Sequence, residues 1–210
     1  MKELRLIKNL KSEHLEEFKS KGRVLITSFS RCRDLDGHAG DPLEGISGFQ
    51  LTSNDYVTLD KEQQSVPDVI FQEPNRVKNL NVRYKIPDAY LFCVSSKVIP
   101  SYESHYTINK PLSFGTILYR TLLLFDKEIY FWKLESVIYG GLKDPITDPE
   151  VLKQIDGSQF KQATRNDYFM KPSTFADDEE YRFVFFTRSR KVRDCTYIIN
   201  KKLIKYCSFD

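Results

Sequence analysis

Glu180 and Arg182 are the residues whose types and spacing most clearly suggest chemistry. Four consecutive acids, Asp177 to Glu180, lead directly into an aromatic and β-branched segment that favours a strand. Side chains alternate between the faces of a strand, so Glu180 and Arg182 share a face. Buried charges are costly without partners, so this pair is placed either to work on a polar ligand or to form a structural ion pair at a sheet end. The residues alone leave both interpretations open.

A second group of polar residues lies near the end of a strand predicted over 23–30. Ser28 and Ser30 would share one face of that strand, and Arg31 would follow at its exit. Hydroxyl and guanidinium groups donate hydrogen bonds that match the oxygen atoms of sugars and phosphates. The segment is therefore a candidate for sugar or phosphate recognition, although serines are common at strand ends without any function.

A loop predicted over 31–48 carries the side chains that could bind a divalent cation, as in a metal-dependent nuclease. These are Asp34, Asp36, His38, Asp41 and Glu44. The spacing does not fit a calcium loop, because Ala39 stands where the turn needs glycine and Gly45 where the bidentate acid belongs. The alternative is a turn whose acids hold its own backbone amides. We therefore predict no metal ligands.

The sequence lacks the motifs that would support a P-loop ATPase, a Rossmann dehydrogenase, a nucleophile-elbow hydrolase, or a common zinc or redox protein. The chain has no phosphate-binding or dinucleotide-binding glycine motif and no nucleophile elbow, and its three histidines lie far apart. Its four cysteines form no C-x-x-C pair, which removes the usual zinc and redox signatures.

Composition indicates a globular protein with a strand-rich interior. The chain has 210 residues, of which 40% are hydrophobic and 13% aromatic, and its formal net charge is +3. It contains no apolar run of membrane-spanning length and no signal-peptide pattern, so we expect a cytoplasmic protein without membrane contact. Basic residues concentrate in a C-terminal segment, 188–205, which could contact nucleic acid or an acidic partner, or could protect a sheet edge.

The hydrophobic pattern predicts one α+β domain over 1–210. We predict a short strand within the first ten residues, then a helix with Ser12 as N-cap and Gly22 at its end. A second long helix is predicted over 112–125 and a short one over 148–155. Further strands are predicted over 23–30, 90–96, 104–109, 128–139, 180–187, 195–200 and 203–209. Residues 52–80 show no clear organisation.

Five short motifs together resemble a group of bacterial proteins that long had no assigned function. They are R-V-L-I-T-S-F-S (23–30), D-P-L-E-G (41–45), L-F-C-V-S-S (91–96), F-M-K (169–171) and E-E-Y-R-F-V-F (179–185). That group is similar in layout to the ADP-ribosyltransferase toxins. The resemblance implies a split, mixed β-sheet flanked by a few helices, with NAD bound in the cleft of the sheet.

The resemblance also implies roles for particular residues. Glu180 would be the catalytic acid, Ser28 or Ser30 the second-strand residue, and Arg5 the first-strand residue; Arg31 or Arg182 could hold pyrophosphate or orient Glu180. A carboxylate bonded to a ribose hydroxyl would stabilise the positive charge that develops as nicotinamide leaves. Asp178 stands where the family has glutamate or glutamine, which leaves the acceptor open.

The layout further resembles CmdT-type toxins of phage-defence toxin–antitoxin–chaperone systems, which modify RNA. The function implied is an NAD-dependent mono-ADP-ribosyltransferase toxin that modifies nucleic acid, with RNA favoured. Its expected partners are an antitoxin and possibly a chaperone. A metal-dependent nuclease using the 34–44 acids and a non-enzymatic nucleic-acid or protein binding module are the alternatives.

Overall fold

The computed structural model describes residues 4–33, 46–52, 79–85, 87–139, 167–171, 173–189 and 192–209. Contacts group the chain into two compact units. The first comprises Met1–Glu44, Pro87–Val137 and Thr174–Asp210, and the second comprises Gly45–Ile86 and Ile138–Ser173. The predicted helix over 148–155 and the acidic loop residues 34–44 lie outside the described residues. That one domain spans 1–210 stays a prediction.

The first unit contains an eight-stranded sheet whose described pairs are all antiparallel. Its strands are β1 (Leu6–Leu10), β2 (Arg23–Ser28), β5 (Ala89–Ser95), β6 (Ser104–Ile108), β7 (Ile129–Ser136), β10 (Glu180–Thr187), β11 (Cys195–Ile199) and β12 (Cys207–Ser208). Its helices are α1 (Ser12–Lys21), α2 (Phe29–Arg33) and α3 (Pro111–Leu122), with 3₁₀ helices at Ser173–Asp178 and Lys201–Tyr206. The predicted α+β class is confirmed, but the sheet is antiparallel rather than mixed.

The second unit contains two small ladders. β3 (Ile46–Thr52) pairs antiparallel with β4 (Asn79–Lys85), and β8 (Ile138–Tyr139) pairs in parallel with β9 (Met170–Lys171). A 3₁₀ helix, Asp167–Phe169, leads into β9. The F-M-K motif therefore lies here, with Phe169, Met170 and Lys171 all buried.

β5 is the strand around which the first unit is organised. One edge pairs with β10 along the whole strand, from Ala89 to Ser95. The other edge is divided, because Tyr90 and Leu91 pair with β2 whereas Ser95 pairs with β1. The described partner of this edge therefore changes from β2 to β1 between Leu91 and Ser95. The sheet therefore splits beside the middle of β5.

One face of the sheet forms the apolar core. Phe92, Phe183 and Phe114 have ring centroids 5.7–6.1 Å apart, which joins β5, β10 and α3. The helix predicted over 112–125 is confirmed as α3, and Phe114, Leu118 and Leu122 at helical spacing are buried. The predicted end is wrong, because α3 ends at Leu122, and Leu124 and Phe125 beyond it are exposed.

Hydrogen bonds that the sequence pattern does not show account for three further errors in the predicted element boundaries. β2 ends at Ser28 rather than at 30, because the Ser28 hydroxyl accepts the Arg31 amide (3.1 Å) and so caps α2. Ser12 is the first residue of α1 rather than its cap, and its hydroxyl bonds Ser104 instead. The strand predicted over 203–209 is mainly a 3₁₀ helix, because Asn200 accepts the Lys202 amide.

Gly22 ends α1 with a left-handed backbone, φ +66°, as predicted from the sequence. A Cβ at this position would lie 2.3 Å from the Asn200 carbonyl oxygen. We expect Gly22→Ala to lower the free energy of unfolding by about 2 kcal/mol or more, since strain and a backbone clash combine. Urea unfolding measures this, with exposed Lys21→Ala as the neighbouring control. Equal stability of the two variants would contradict the expectation.

Candidate active site

The turn before β10 directs Glu180 into the protein and Glu179 out of it. Glu179 has φ +43°, which is unusual for a residue with a side chain. Its carboxylate contacts the Ser96 hydroxyl and lies 3.2 Å from Lys97 Nζ, and its carbonyl accepts the Ser96 amide. These bonds lower the pKa of the Glu179 carboxyl, chiefly through the Ser96 hydroxyl. The outward residue thus secures the turn, and Glu180 is free to point inward.

Glu180 and Arg182 form an ion pair enclosed within the first unit. Glu180 is 7% exposed and Arg182 is fully buried. The Arg182 Nε donates to Glu180 Oε1 at 2.6 Å, so the shared face predicted from alternation is confirmed. The Arg182 guanidinium also lies 5.6 Å from the centre of the Phe29 ring, at the start of α2. Arg182 therefore connects the start of β10 with the residues that follow β2.

Lys8 supplies a second cation to this region, and sequence reasoning missed it. Its Nζ donates to the Cys93 carbonyl at 2.8 Å and lies 4.9 Å from the centre of the Phe92 ring. That carbonyl lies on the stretch of β5 where the partner strand changes from β2 to β1, so Lys8 bonds beside the split of the sheet. Its position on β1 between buried Leu6 and partly buried Leu10 was the available signal, because alternation puts it on the same face as these two leucines.

The electrostatics of Lys8 link it to the candidate carboxylate. Burial lowers the pKa of Lys8, and the neighbouring Cys93, Glu180 and Cys32 oppose this shift. Glu180 raises the pKa of Lys8 because its negative charge attracts the Lys8 ammonium. One carboxylate thus interacts with two cations beside the split of the sheet.

Ser28 and Ser30 form a separate group with Asp88, another residue that sequence reasoning missed. Their hydroxyls lie 3.0 Å apart, and Asp88 accepts from both the hydroxyl and the amide of Ser30. Ser28 pairs with Tyr90 whereas Glu180 pairs with Ser95, at opposite ends of β5. At about 3.3 Å per residue, the backbone positions of Ser28 and Glu180 are roughly 17 Å apart along β5, although Phe29, between the two serines, lies beside the Arg182 guanidinium. Asp88, directly after Pro87 and before a buried strand, was the available signal.

The two remaining arginines lie on the surface. Arg5 is exposed and precedes β1 rather than lying within it, and Arg31 is exposed on α2. The structure therefore brings Glu180 and Arg182 together and adds Lys8, whereas Arg5 and Arg31 lie on the surface and the two serines bond to each other and, through Ser30, to Asp88.

Metal binding and membrane crossing can be addressed only for the described residues. Among them, no group of three or more His, Cys, Asp or Glu side chains could hold a metal ion. The acids of 34–44 are not included in that statement. Within the same described ranges, no helix is both long and apolar enough to span a membrane.

Comparison with known proteins gives no family for this chain. No protein-family model matches it, and no curated protein or solved structure matches either.

The buried ion pair generates a prediction about stability. Arg182→Met leaves the Glu180 carboxylate without its closest cation, so we expect the free energy of unfolding to fall by about 3–5 kcal/mol. Combining it with Glu180→Gln should restore part of the loss, because no buried carboxylate then remains. The matched control is Arg188→Met, an exposed arginine 5.0 Å from the Tyr130 ring, which should cost about 0.5–1 kcal/mol. Urea denaturation that gives equal losses for both arginines would refute this.

The lowered pKa of Lys8 gives a pH-dependent prediction. The pKa of Lys8 is about 10.5 in the unfolded chain and lower in the folded chain. Just below pH 10.5 the unfolded chain therefore binds this proton to a greater extent than the folded chain does. The Lys8 contribution to the free energy of unfolding therefore rises with pH through the range just below 10.5 and levels off above it. We expect the difference between wild type and Lys8→Met to show this rise in urea titrations. Lys8→Arg, which stays charged throughout, should lack it as well; parallel pH profiles of all three proteins would count against burial as the cause.

Proposed function

We propose that this protein is an NAD-dependent mono-ADP-ribosyltransferase in which Glu180 is the catalytic acid. The observation that carries the proposal is a buried carboxylate at the first residue of β10, beside the point where the sheet splits. A split sheet with a glutamate opening a late strand is the layout that the motif resemblance implies. Both the sequence context of Glu180 and its position at the start of β10 therefore support the proposal.

The chemistry suits a fixed carboxylate. In the proposed reaction the bond between nicotinamide and the ribose C1′ breaks, and nicotinamide leaves with the electron pair. An acceptor atom bonds to C1′ and gives its proton to solvent. Positive charge develops on the ribose in the transition state. Glu180, bonded to a ribose hydroxyl, would therefore stabilise the transition state more than the ground state.

Arg182 and Lys8 would act through Glu180. Arg182 Nε donates to one oxygen of Glu180 at 2.6 Å, which holds the carboxylate in one orientation. Holding the carboxylate in place before the substrate arrives avoids reorganisation in the transition state. Ser28 and Ser30 would support the turn from β2 into α2, because their hydroxyls bond within the group that contains Asp88.

The acceptor we favour is nucleic acid, RNA in particular, and the setting a phage-defence toxin restrained by an antitoxin, with a chaperone as a further partner. Support comes from the resemblance and from the exposed basic residues near the C-terminus, Arg188, Arg193, Lys201, Lys202 and Lys205. Phosphate groups bind such residues without sequence preference. A cytoplasmic location accompanies this proposal.

A non-enzymatic binding module is the second candidate, because a buried and well-bonded Glu180–Arg182 pair also fits a structural role. The two candidates differ in whether Glu180 turns over NAD. A metal-dependent nuclease would depend on 34–44, and no described contact favours it.

Labelled NAD decides between these candidates. The protein is incubated with NAD carrying label in its adenylate part, together with total RNA, DNA or protein. We expect label on RNA and release of nicotinamide, and a loss of about a hundredfold or more in Glu180→Gln. Glu13→Gln, which changes an exposed carboxylate on α1, is the control and should keep full activity.

Circular dichroism must show that both variants fold like wild type. Absence of nicotinamide release from the wild type with every acceptor, or equal activity of Glu180→Gln, would exclude the proposal. Cleavage of nucleic acid that needs no NAD and stops with a chelator would favour the nuclease instead.

A further inference from the structure

The edge strand β11 lacks the usual protection against pairing with another chain. It lies at one end of the sheet order and pairs with β2 alone among the described strands. Its sequence, Cys-Thr-Tyr-Ile-Ile, contains no charged residue and no proline, and its register with β2 is uninterrupted. Edge strands in native proteins normally carry a charge, a proline or a bulge that blocks further pairing. Within the part of the chain that the structure describes, this edge is open and uncharged and is thus a candidate binding surface.

The hydrogen bonds flanking β11 show which of its backbone groups face outward. The Ser28 amide donates to the Asp194 carbonyl at 3.0 Å, and the Asn200 amide donates to the Gly22 carbonyl at 3.1 Å. Hydrogen-bonded pairs recur at every second residue of an antiparallel ladder. Thr196 and Ile198 therefore bond to β2, whereas the amides and carbonyls of Tyr197 and Ile199 point toward the open edge.

The side chains beside this edge form an exposed apolar strip, which consists of Leu25, Tyr197 and Ile199. Their exposed fractions are 39%, 47% and 61%, and Leu25 pairs with Tyr197 across the two strands. The Arg23 guanidinium lies 3.9 Å from the centre of the Tyr197 ring and covers part of it. An added strand with apolar side chains at alternate positions would pack against this strip.

Charges at both ends of β11 decide between a second copy of this chain and a different partner. Arg193 and Asp194 precede the strand, and Lys201 and Lys202 follow it; all four are exposed, and by alternation Arg193 lies on the face of Tyr197 whereas Asp194 lies on the opposite face. Two copies paired antiparallel about Tyr197 would place Arg193 opposite Lys201 of the second copy at each end. Like charges directly opposite one another destabilise a strand pair. The edge therefore disfavours self-pairing and favours a strand with acidic ends.

We propose that the β11 edge binds an extended segment of another protein that adds a strand to the sheet. The segment carries apolar residues at alternate positions and acidic residues at both ends. Main-chain bonds to Tyr197 and Ile199 supply affinity, and the apolar strip and basic ends supply specificity. The inference does not depend on the proposed catalysis, because it uses none of the residues around Glu180.

Two synthetic peptides test the proposal against the full chain. Both contain isoleucine and threonine in alternation, and one ends in pairs of glutamates whereas the other ends in pairs of lysines. We expect fluorescence anisotropy to show the acidic peptide binding at least tenfold more tightly. Hydrogen exchange of the Tyr197 and Ile199 amides should slow when it binds, since strand addition gives them acceptors.

A pair of aspartate variants locates the binding. Ile199→Asp should weaken the acidic peptide at least fivefold, because it removes apolar surface and repels the acids. Leu124→Asp replaces an even more exposed apolar residue, 79% exposed, outside the strip and should bind like wild type. Thermal melts must show that both variants are folded.

Four outcomes would overturn the proposal. In the first, neither peptide binds, and in the second, both peptides bind equally tightly. In the third, Ile199→Asp and Leu124→Asp weaken binding of the acidic peptide equally, and in the fourth, the acidic peptide binds without slowing hydrogen exchange at Tyr197 and Ile199. A wild-type dimer in sedimentation that Ile199→Asp dissociates would identify a second copy as the occupant instead. An RNA oligomer that displaces the acidic peptide and fails to bind Ile199→Asp would assign the edge to nucleic acid.

Discussion

The enclosed contact between Glu180 and Arg182 is the interaction on which the first unit depends most. Each charge would be strongly destabilising alone in such an environment, and together they are tolerated because the geometry is close and additional groups surround them. The pair fixes how β10 enters the sheet, and through Phe29 it ties β10 to the start of α2. The same burial that makes the carboxylate expensive to keep also holds it in one orientation.

The split of the sheet explains why a lysine lies among apolar residues. A continuous sheet would keep one partner strand along this edge of β5, whereas here the partner changes from β2 to β1 between Leu91 and Ser95. The Cys93 carbonyl on this stretch accepts a hydrogen bond from the Lys8 ammonium of the adjacent strand. The ammonium sits over the Phe92 ring, which offsets part of its lost hydration. The Lys8 side chain thus both donates to the Cys93 carbonyl and brings a positive charge close to Glu180.

Features that depend on periodicity could be predicted from the sequence, and features that depend on distant partners could not. Alternation correctly placed Glu180 and Arg182 on one face, and helical spacing located α3. The Ser28 cap was missed because the same serine fits a strand or a helix start, and only the Arg31 amide decides. Lys8 and Asp88 were missed because their partners, Cys93 and Ser30, lie 85 and 58 residues away along the chain.

The order of segments along the chain bears on how this unit assembles during translation. β5 emerges from the ribosome long before β10, its full-length neighbour; Ser95 and the Asp178 carbonyl that it bonds are 83 positions apart. Contacts of such separation form late and slowly, since a long loop must close first. The nascent polypeptide therefore lacks the β10 partner of β5 until residues 180–187 have been synthesised. Chaperones that recognise unpaired apolar strands would meet their substrate in that interval.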